Sequence, residues 1–219
     1  MVRVLCCGDI HGRIEALKEV LQLSNFDYDN DKLILLGDIA DGGYNTYEVV
    51  EELLKIKNII FVIGNHDVWF MDYMKSGWNG DIWQRQGGKN TVQSYAKFNY
   101  NIPVTHQEFF NKGVFYYMEN NKVFVHGGFD PRYPLEQQTK EMLTWDRSLI
   151  ERCRNGLMLK DYDRVFVGHT TTETYGFDTP IGFGKIVMVD TGAGWTGKLT
   201  IMDVDTEQYW QSKTQKPAR

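Results

Sequence analysis

The opening stretch VRVLCCGDIHG (residues 2–12) is a short apolar run that stops at Gly8-Asp9-Ile10-His11-Gly12. A helical period follows it, with Ile14, Leu17, Val20 and Leu21 spaced along one stripe. The same grammar returns twice. The run LILL (33–36) ends in Gly37-Asp38-Ile39-Ala40-Asp41-Gly42-Gly43 and precedes an amphipathic stretch marked by Val49, Val50, Leu53, Leu54 and Ile56. The run IIFVI (59–63) ends in Gly64-Asn65-His66-Asp67. Continuous apolar runs alternating with helices predict strands buried on both faces in βαβ units, hence a largely parallel sheet over the first 70 residues or so.

Outward from there the pattern changes. Residues 77–105, with Trp78, Trp83 and the Gly87-Gly88 pair, have little periodicity and are expected to form a helical or irregular insertion beside the sheet. Strand signals resume at 114–118 and 123–125 across an Asn120-Asn121 turn, then at 165–167, 186–189 and 199–202. The polar end, 213–219, is expected to fray. At 219 residues the chain is long enough to bury a core without disulfides or structural metal. A composition of 42% hydrophobic and 24% charged residues excludes a disordered chain. With 24 basic against 29 acidic residues, the net charge of −5 argues against general attraction to nucleic acid or an anionic membrane. No apolar stretch is long enough for a membrane span or a signal-peptide core. Cys6, Cys7 and Cys153 read as small buried thiols in a reducing compartment, so a cytoplasmic protein without a membrane partner is expected.

Six apolar runs stop at a glycine or histidine cluster: GDIHG, GDIADGG, GNHD, HGG (126–128), GHT (168–170) and DTGAG (190–194). In open α/β sheets, ligands sit beyond the carboxyl ends of strands, so these clusters are expected to converge. Asp9 and His11, at i and i+2, reach one face of an extended strand end. A carboxylate and an imidazole there suit a borderline metal such as Mn, Fe or Zn. Asp38 supplies a second carboxylate able to bridge two ions, and Asn65, His126 and His169 complete the second ion's shell. Six O/N ligands without thiolate fit a two-metal hydrolase. His66, adjacent to Asn65, is then placed to protonate a leaving oxygen, with Asp41 fixing its tautomer. His106 has no such context and reads as an ordinary polar side chain.

These residues resemble the PPP family of metallophosphoesterases, in its phage and bacterial branch of lambdoid protein phosphatases and symmetrical diadenosine tetraphosphatases. The family pattern GDxHG, GDxVDRG, GNHE, a later histidine before a small residue, and GH is met at 8–12, 37–43, 64–67, 126–128 and 168–170. The resemblance implies one calcineurin-like domain over 1–219, a four-layer α/β/β/α sandwich of the metallo-dependent phosphatase type. It implies one metal on Asp9, His11 and Asp38, a second on Asp38, Asn65, His126 and His169, and His66 as general acid with Asp41 as its partner. It also implies direct attack on phosphorus by a metal-bound hydroxide.

Three departures stand out: Gly42 replaces the arginine of GDxVDRG, Ile63 replaces an arginine before GNH, and Asp67 ends GNHD. Arg147 in LTWDRS (143–148) is the remaining candidate for the phosphate fork. A Gly42→Arg change is expected to restore a fork if the loop tolerates a side chain. Trp78 and Trp83 are read as core in preference to walls of a cleft. The expected activity is a metal-dependent phosphoric ester hydrolase with two divalent ions, manganese before iron or zinc. Phosphoserine or phosphothreonine is the favoured substrate. A dinucleoside polyphosphate hydrolase or nucleic-acid end phosphatase is the enzymatic alternative, and a metal-free binding module the non-enzymatic one.

Overall fold

Three βα units open the chain: β1 (Val4–Cys7) with α1 (Ile14–Leu23), β2 (Lys32–Leu35) with α2 (Thr46–Leu53), and β3 (Asn58–Phe61) with α3 (Asn65–Ser76). Short helices α4 (Asp81–Trp83), α5 (Lys89–Ser94) and α6 (Val104–Asn111) follow, then β4 (Tyr116–Glu119) and β5 (Lys122–Val125). After α7 (Lys140–Trp145) and α8 (Ser148–Arg154) come β6 (Arg164–Val167), β7 (Ile181–Phe183), β8 (Ile186–Met188), β9 (Thr200–Asp203) and β10 (Tyr209–Gln211). The structure is a computed structural model and describes residues 2–195 and 197–214. Most of the terminal stretch expected to fray, 215–219, lies outside the described residues.

The strands form two five-stranded sheets, ordered β10-β9-β1-β2-β3 and β4-β5-β6-β8-β7. β1, β2 and β3 pair in parallel, as do β5, β6 and β8, while β4, β7, β9 and β10 pair antiparallel. The Asn120-Asn121 turn joins β4 to β5 with both residues at positive φ (49° and 58°), the geometry a two-residue hairpin requires. Edge strands β7 and β10, three residues each, were not expected from the sequence.

Alternation of side chains along each strand builds the layers. Leu5 and Cys7 of β1, with Leu33 and Leu35 of β2, pack against Leu17, Val50, Phe70 and Phe110 of the first helical layer. Val123, Val125, Val165 and Val167 face Leu143, Leu149 and Ile150 of α7 and α8. The intervening residues Cys6, Ile34, Phe124, Phe166 and Val187 meet between the sheets, where the rings of Phe124 and Phe166 stack at 5.1 Å. Helices, sheet, sheet and helices thus form the four expected layers, and burial on both faces explains why these strands are apolar without interruption. The 77–105 stretch is a chain of short helical turns whose Trp83 and Tyr95 join the first core.

Candidate active site

The expected site residues occupy strand exits. Asp9 and His11 follow β1, Asp38 and Asp41 follow β2, Asn65 and His66 start α3 beyond β3, and His126 and His169 follow β5 and β6. All but half-buried His169 are buried. His11, Asp38, Asp41 and His169 have positive φ (48°, 50°, 71° and 61°). Left-handed backbone at non-glycine residues costs on the order of 1–3 kcal/mol each and concentrates where side chains must be aimed.

Asp38 is the hub. Its Oδ2 lies 3.2 Å from His126 Nε2 and 3.7 Å from His11 Nε2, and its Oδ1 accepts the His66 backbone N–H at 3.0 Å. Two groups of donors, His11–Asp38–His66 and Asp38–His126–His169, each lie within 4.8 Å and share Asp38. Asn65 Oδ1 stands 3.1 Å from His126 Nε2. Asp9 belongs to neither group: its carboxylate accepts the His169 backbone N–H at 3.0 and 3.3 Å and neighbours that of Asp190.

The ring orientations follow from the backbone. His11 Nδ1 lies 3.0 Å from the Ala40 carbonyl, and His126 Nδ1 lies 2.6 Å from that of Leu36. A carbonyl only accepts, so each Nδ1 carries its proton and a neutral ring turns the Nε2 lone pair inward. At His126 that lone pair meets two further acceptors, Asn65 Oδ1 and Asp38 Oδ2, an arrangement that only a proton or a cation reconciles. His169 Nε2 is buried with no hydrogen-bond partner among the described residues. Burial, the larger cause, with the charge of Asp190 and Asp38 pushes the Asp9 carboxyl well above its ordinary range. Burial, with the charge of Asp38, also lifts Asp190 to about 6. Oxygen and imidazole donors crowded in this way, short of positive charge, fit divalent cations.

His66 is held differently. Its Nδ1 donates to Asp41 Oδ2 at 2.7 Å. Burial opposes its charging most strongly, but Asp38 and Asp41 together outweigh burial and lift it to about 9. Asp41 in turn accepts from Trp83 Nε1 at 2.9 and 3.0 Å and from Thr91 Oγ1 at 2.8 Å. Trp83 is thus core, as expected, and also a support for Asp41, whereas Trp78, expected in the core with it, is exposed and stacks on Trp83 from outside. His106 donates and accepts within the core, between the Tyr95 hydroxyl (2.9 Å) and Glu51 (2.8 Å).

Arg147 is exposed, with Nη2 3.5 Å from the His169 carbonyl, and makes no ion pair among the described residues. Asp146 instead accepts the backbone N–H groups of Ser148 and Leu149 at the start of α8. Gly42 disfavours the arginine considered above: at φ +69° a side chain is strained, and an added Cβ would lie 3.0 Å from His11 Cβ. Ile63 is buried in the first core. Arg13 is taken up by the 193–195 loop, donating to the carbonyls of Ala193 and Gly194 at 3.1 and 3.2 Å.

Sequence reasoning missed two residues. Asp67 accepts four backbone N–H groups, from Asp38 (2.7 Å), Ile39 (2.9 Å), Ala40 (3.2 Å) and Gly64 (2.9 Å). Its place after GNH was visible; its partners 27–29 residues away were not. Asp190, inside the quoted DTGAG cluster, was left without a role.

Two sheets that deliver carboxylates, imidazoles and an amide from their strand exits to one buried centre define a metal-dependent hydrolase. The chain belongs to the calcineurin-like phosphoesterase family, whose model matches residues 2–196. It is a metal-dependent phosphatase, and the metal-free binding module is set aside. Among curated relatives, the symmetrical bis(5′-nucleosyl)-tetraphosphatase of Pseudomonas fluorescens is 20% identical over 96% of this chain and 94% of its own length. That of Coxiella burnetii is 36% identical over 64 residues, 29% of this chain and 22% of the relative. Among solved structures, one provisionally named a diadenosine tetraphosphatase superposes with TM-score 0.70 at 18% identity, covering 100% of this chain and 94% of that one. A cold-active protein-tyrosine phosphatase of a psychrophilic Shewanella does so with TM-score 0.65 at 14% identity, covering 96% and 80%. At such identities these structures share the fold.

Proposed function

We propose that the protein hydrolyses dinucleoside polyphosphates of the diadenosine tetraphosphate type at the Asp38-centred site. The observation that carries this substrate class is the nearly end-to-end match to the Pseudomonas fluorescens enzyme. In this reading Asp9, His11 and Asp38 would hold one divalent ion, and Asp38, Asn65, His126 and His169 would hold a second. Two such ions, manganese before iron or zinc, would supply Lewis acidity to the phosphate and lower the pKa of the attacking water. His66, fixed on Asp41 through Nδ1, donates from Nε2 to the leaving oxygen. Arg147 offers its planar fork to phosphate oxygens from the exposed side. Symmetrical cleavage then adds water across the central phosphoanhydride and releases two nucleoside diphosphates.

The whole chain, 1–219, is taken as one catalytic unit with 77–105 as an insertion. Its setting is proposed to be the cytoplasm, in keeping with three free, buried cysteines; among the described residues no helix is long and apolar enough to cross a membrane. Hydrolysis of phosphoserine or phosphothreonine is the second reading, supported by the ordered PPP-like motif set. A panel assay with manganese decides between them, using diadenosine tetraphosphate, phosphopeptides, 2′,3′-cyclic nucleotides and phosphorylated oligonucleotide ends. The highest kcat/KM is expected on diadenosine tetraphosphate, with ADP as product. Turnover of phosphopeptides with none of the dinucleotide overturns the first reading in favour of the second.

A further inference from the structure

We propose that Trp69 and Trp145 form a stacking wall for a nucleobase of the substrate. The inference rests on the dinucleotide reading and names what recognises the nucleoside end.

Six rings run in succession around the site. His11 and His66 lie 4.9 Å apart between centroids, His66 and Trp69 5.0 Å, Trp69 and Trp145 5.4 Å, Trp145 and His169 5.6 Å, and His169 and His126 4.9 Å. The four imidazoles bear on Asp38, and the two indoles close the side between His66 and His169. Local sequence puts them there. Trp69 is three residues after His66 on α3, so the two share a helix face. Trp145 ends α7, two residues before Arg147.

Trp145 is 42% exposed and stands beside the donor centre, so part of its indole surface is open to a ligand bound there. The rings it meets, Trp69 and His169, are both met at an angle (65° and 85°), so neither lies flat on it. A planar ring is the natural occupant, because stacking on indole is strong and tolerant of base identity.

Position selects a nucleobase over an aryl ester. Both indoles stand one ring out from the donor atoms, beyond His66 and His169. An aryl group joined to phosphorus through a single oxygen keeps its ring close to the phosphate, whereas a ribose carries its base further out. Arg147, whose Nη2 lies 3.5 Å from the His169 carbonyl, stands two residues from Trp145, so a phosphate held by its guanidinium would bring its nucleoside near that indole.

AMP and ribose 5-phosphate differ only in the base, so calorimetric titration of the manganese-loaded protein with each isolates the wall. AMP is expected to bind about 5- to 100-fold more tightly, the range of one stacked base. In Trp145→Ala and Trp69→Ala that ratio should fall toward one. Trp145→Phe should keep part of it, and ribose 5-phosphate affinity, which also reports intact folding, should not move. Equal affinities in the unaltered protein overturn the proposal whether or not the variants fold. So does a preference for phenyl phosphate, and not AMP, that disappears in Trp145→Phe. Diadenosine tetraphosphate hydrolysis is measured on the same preparation. A preference for AMP without that hydrolysis keeps the wall and removes the dinucleotide reading, and hydrolysis without the preference does the reverse.

Discussion

His66 stands between two carboxylates that act on it in different ways, Asp41 by a 2.7 Å hydrogen bond to Nδ1 and Asp38 by charge. On the proposed role of His66 as general acid, its removal separates acid catalysis from metal binding. His66→Asn should keep both ions by metal analysis and lower kcat by roughly 10²–10⁴-fold on substrates with poor leaving groups. The loss should shrink on p-nitrophenyl phosphate, whose leaving group needs little protonation. Loss of metal in that variant would make His66 a ligand, as its grouping with His11 and Asp38 allows. Arg147 poses a separate question. With Gly42 at φ +69° and Ile63 in the core, neither position provides a guanidinium, and Arg13 is engaged by the 193–195 loop. Arg147→Ala should therefore cost about 2–4 kcal/mol in kcat/KM by steady-state kinetics, comparable with losing one fixed donor to a developing oxyanion. An unchanged value would place the phosphate elsewhere.

At the scale of elements, the loop after β2 and the start of α3 are tied together by one side chain. Asp67 gathers the N–H groups of Asp38, Ile39, Ala40 and Gly64, and so sets where Asp38, Asn65 and His66 point. Asp67→Ala leaves four buried donors without their acceptor, at about 1–3 kcal/mol each before relaxation and hydration. A destabilisation of about 3 kcal/mol or more is expected in urea unfolding, with a Tm lower by roughly 6–12 °C. A change under 1 kcal/mol would mean the loop is held by other contacts. This tie also marks a limit of sequence reading. The buried strands were legible because residues such as Leu33, Ile34 and Leu35 are apolar on both faces, and each ends in a polar cluster. The three-residue edges β7 and β10 carry too few positions for a period to register. Asp9, His11, Asp38, Asn65, His126 and His169 are expected as a set because their local motifs recur, and the structure puts all six at strand exits, whereas the contacts of Asp67, Trp83 and Trp145 depend on partners from other elements.

At the scale of the molecule, the site is a junction between the two sheets. The first contributes His11, Asp38 and Asn65, the second His126 and His169, and Asp9 accepts the His169 backbone N–H across 160 residues of sequence. Cations held there would cross-link the halves, and the unfolded chain has no equivalent site, so binding adds to folding stability. Manganese at a hundred times its Kd contributes about 2.7 kcal/mol, which for a chain of this length corresponds to a rise of roughly 5–10 °C in Tm. Differential scanning calorimetry should therefore show a drop of that size when EDTA is added, reversed by excess manganese. The variants locate the cause. Asp38→Asn removes the carboxylate common to both donor groups and should reduce the manganese-dependent shift to less than half. Arg147→Ala, outside both groups, should retain it in full. If Asp38→Asn kept the whole shift, the stabilising cation would be bound away from this junction, and Asp38 could not be the residue that joins the two halves.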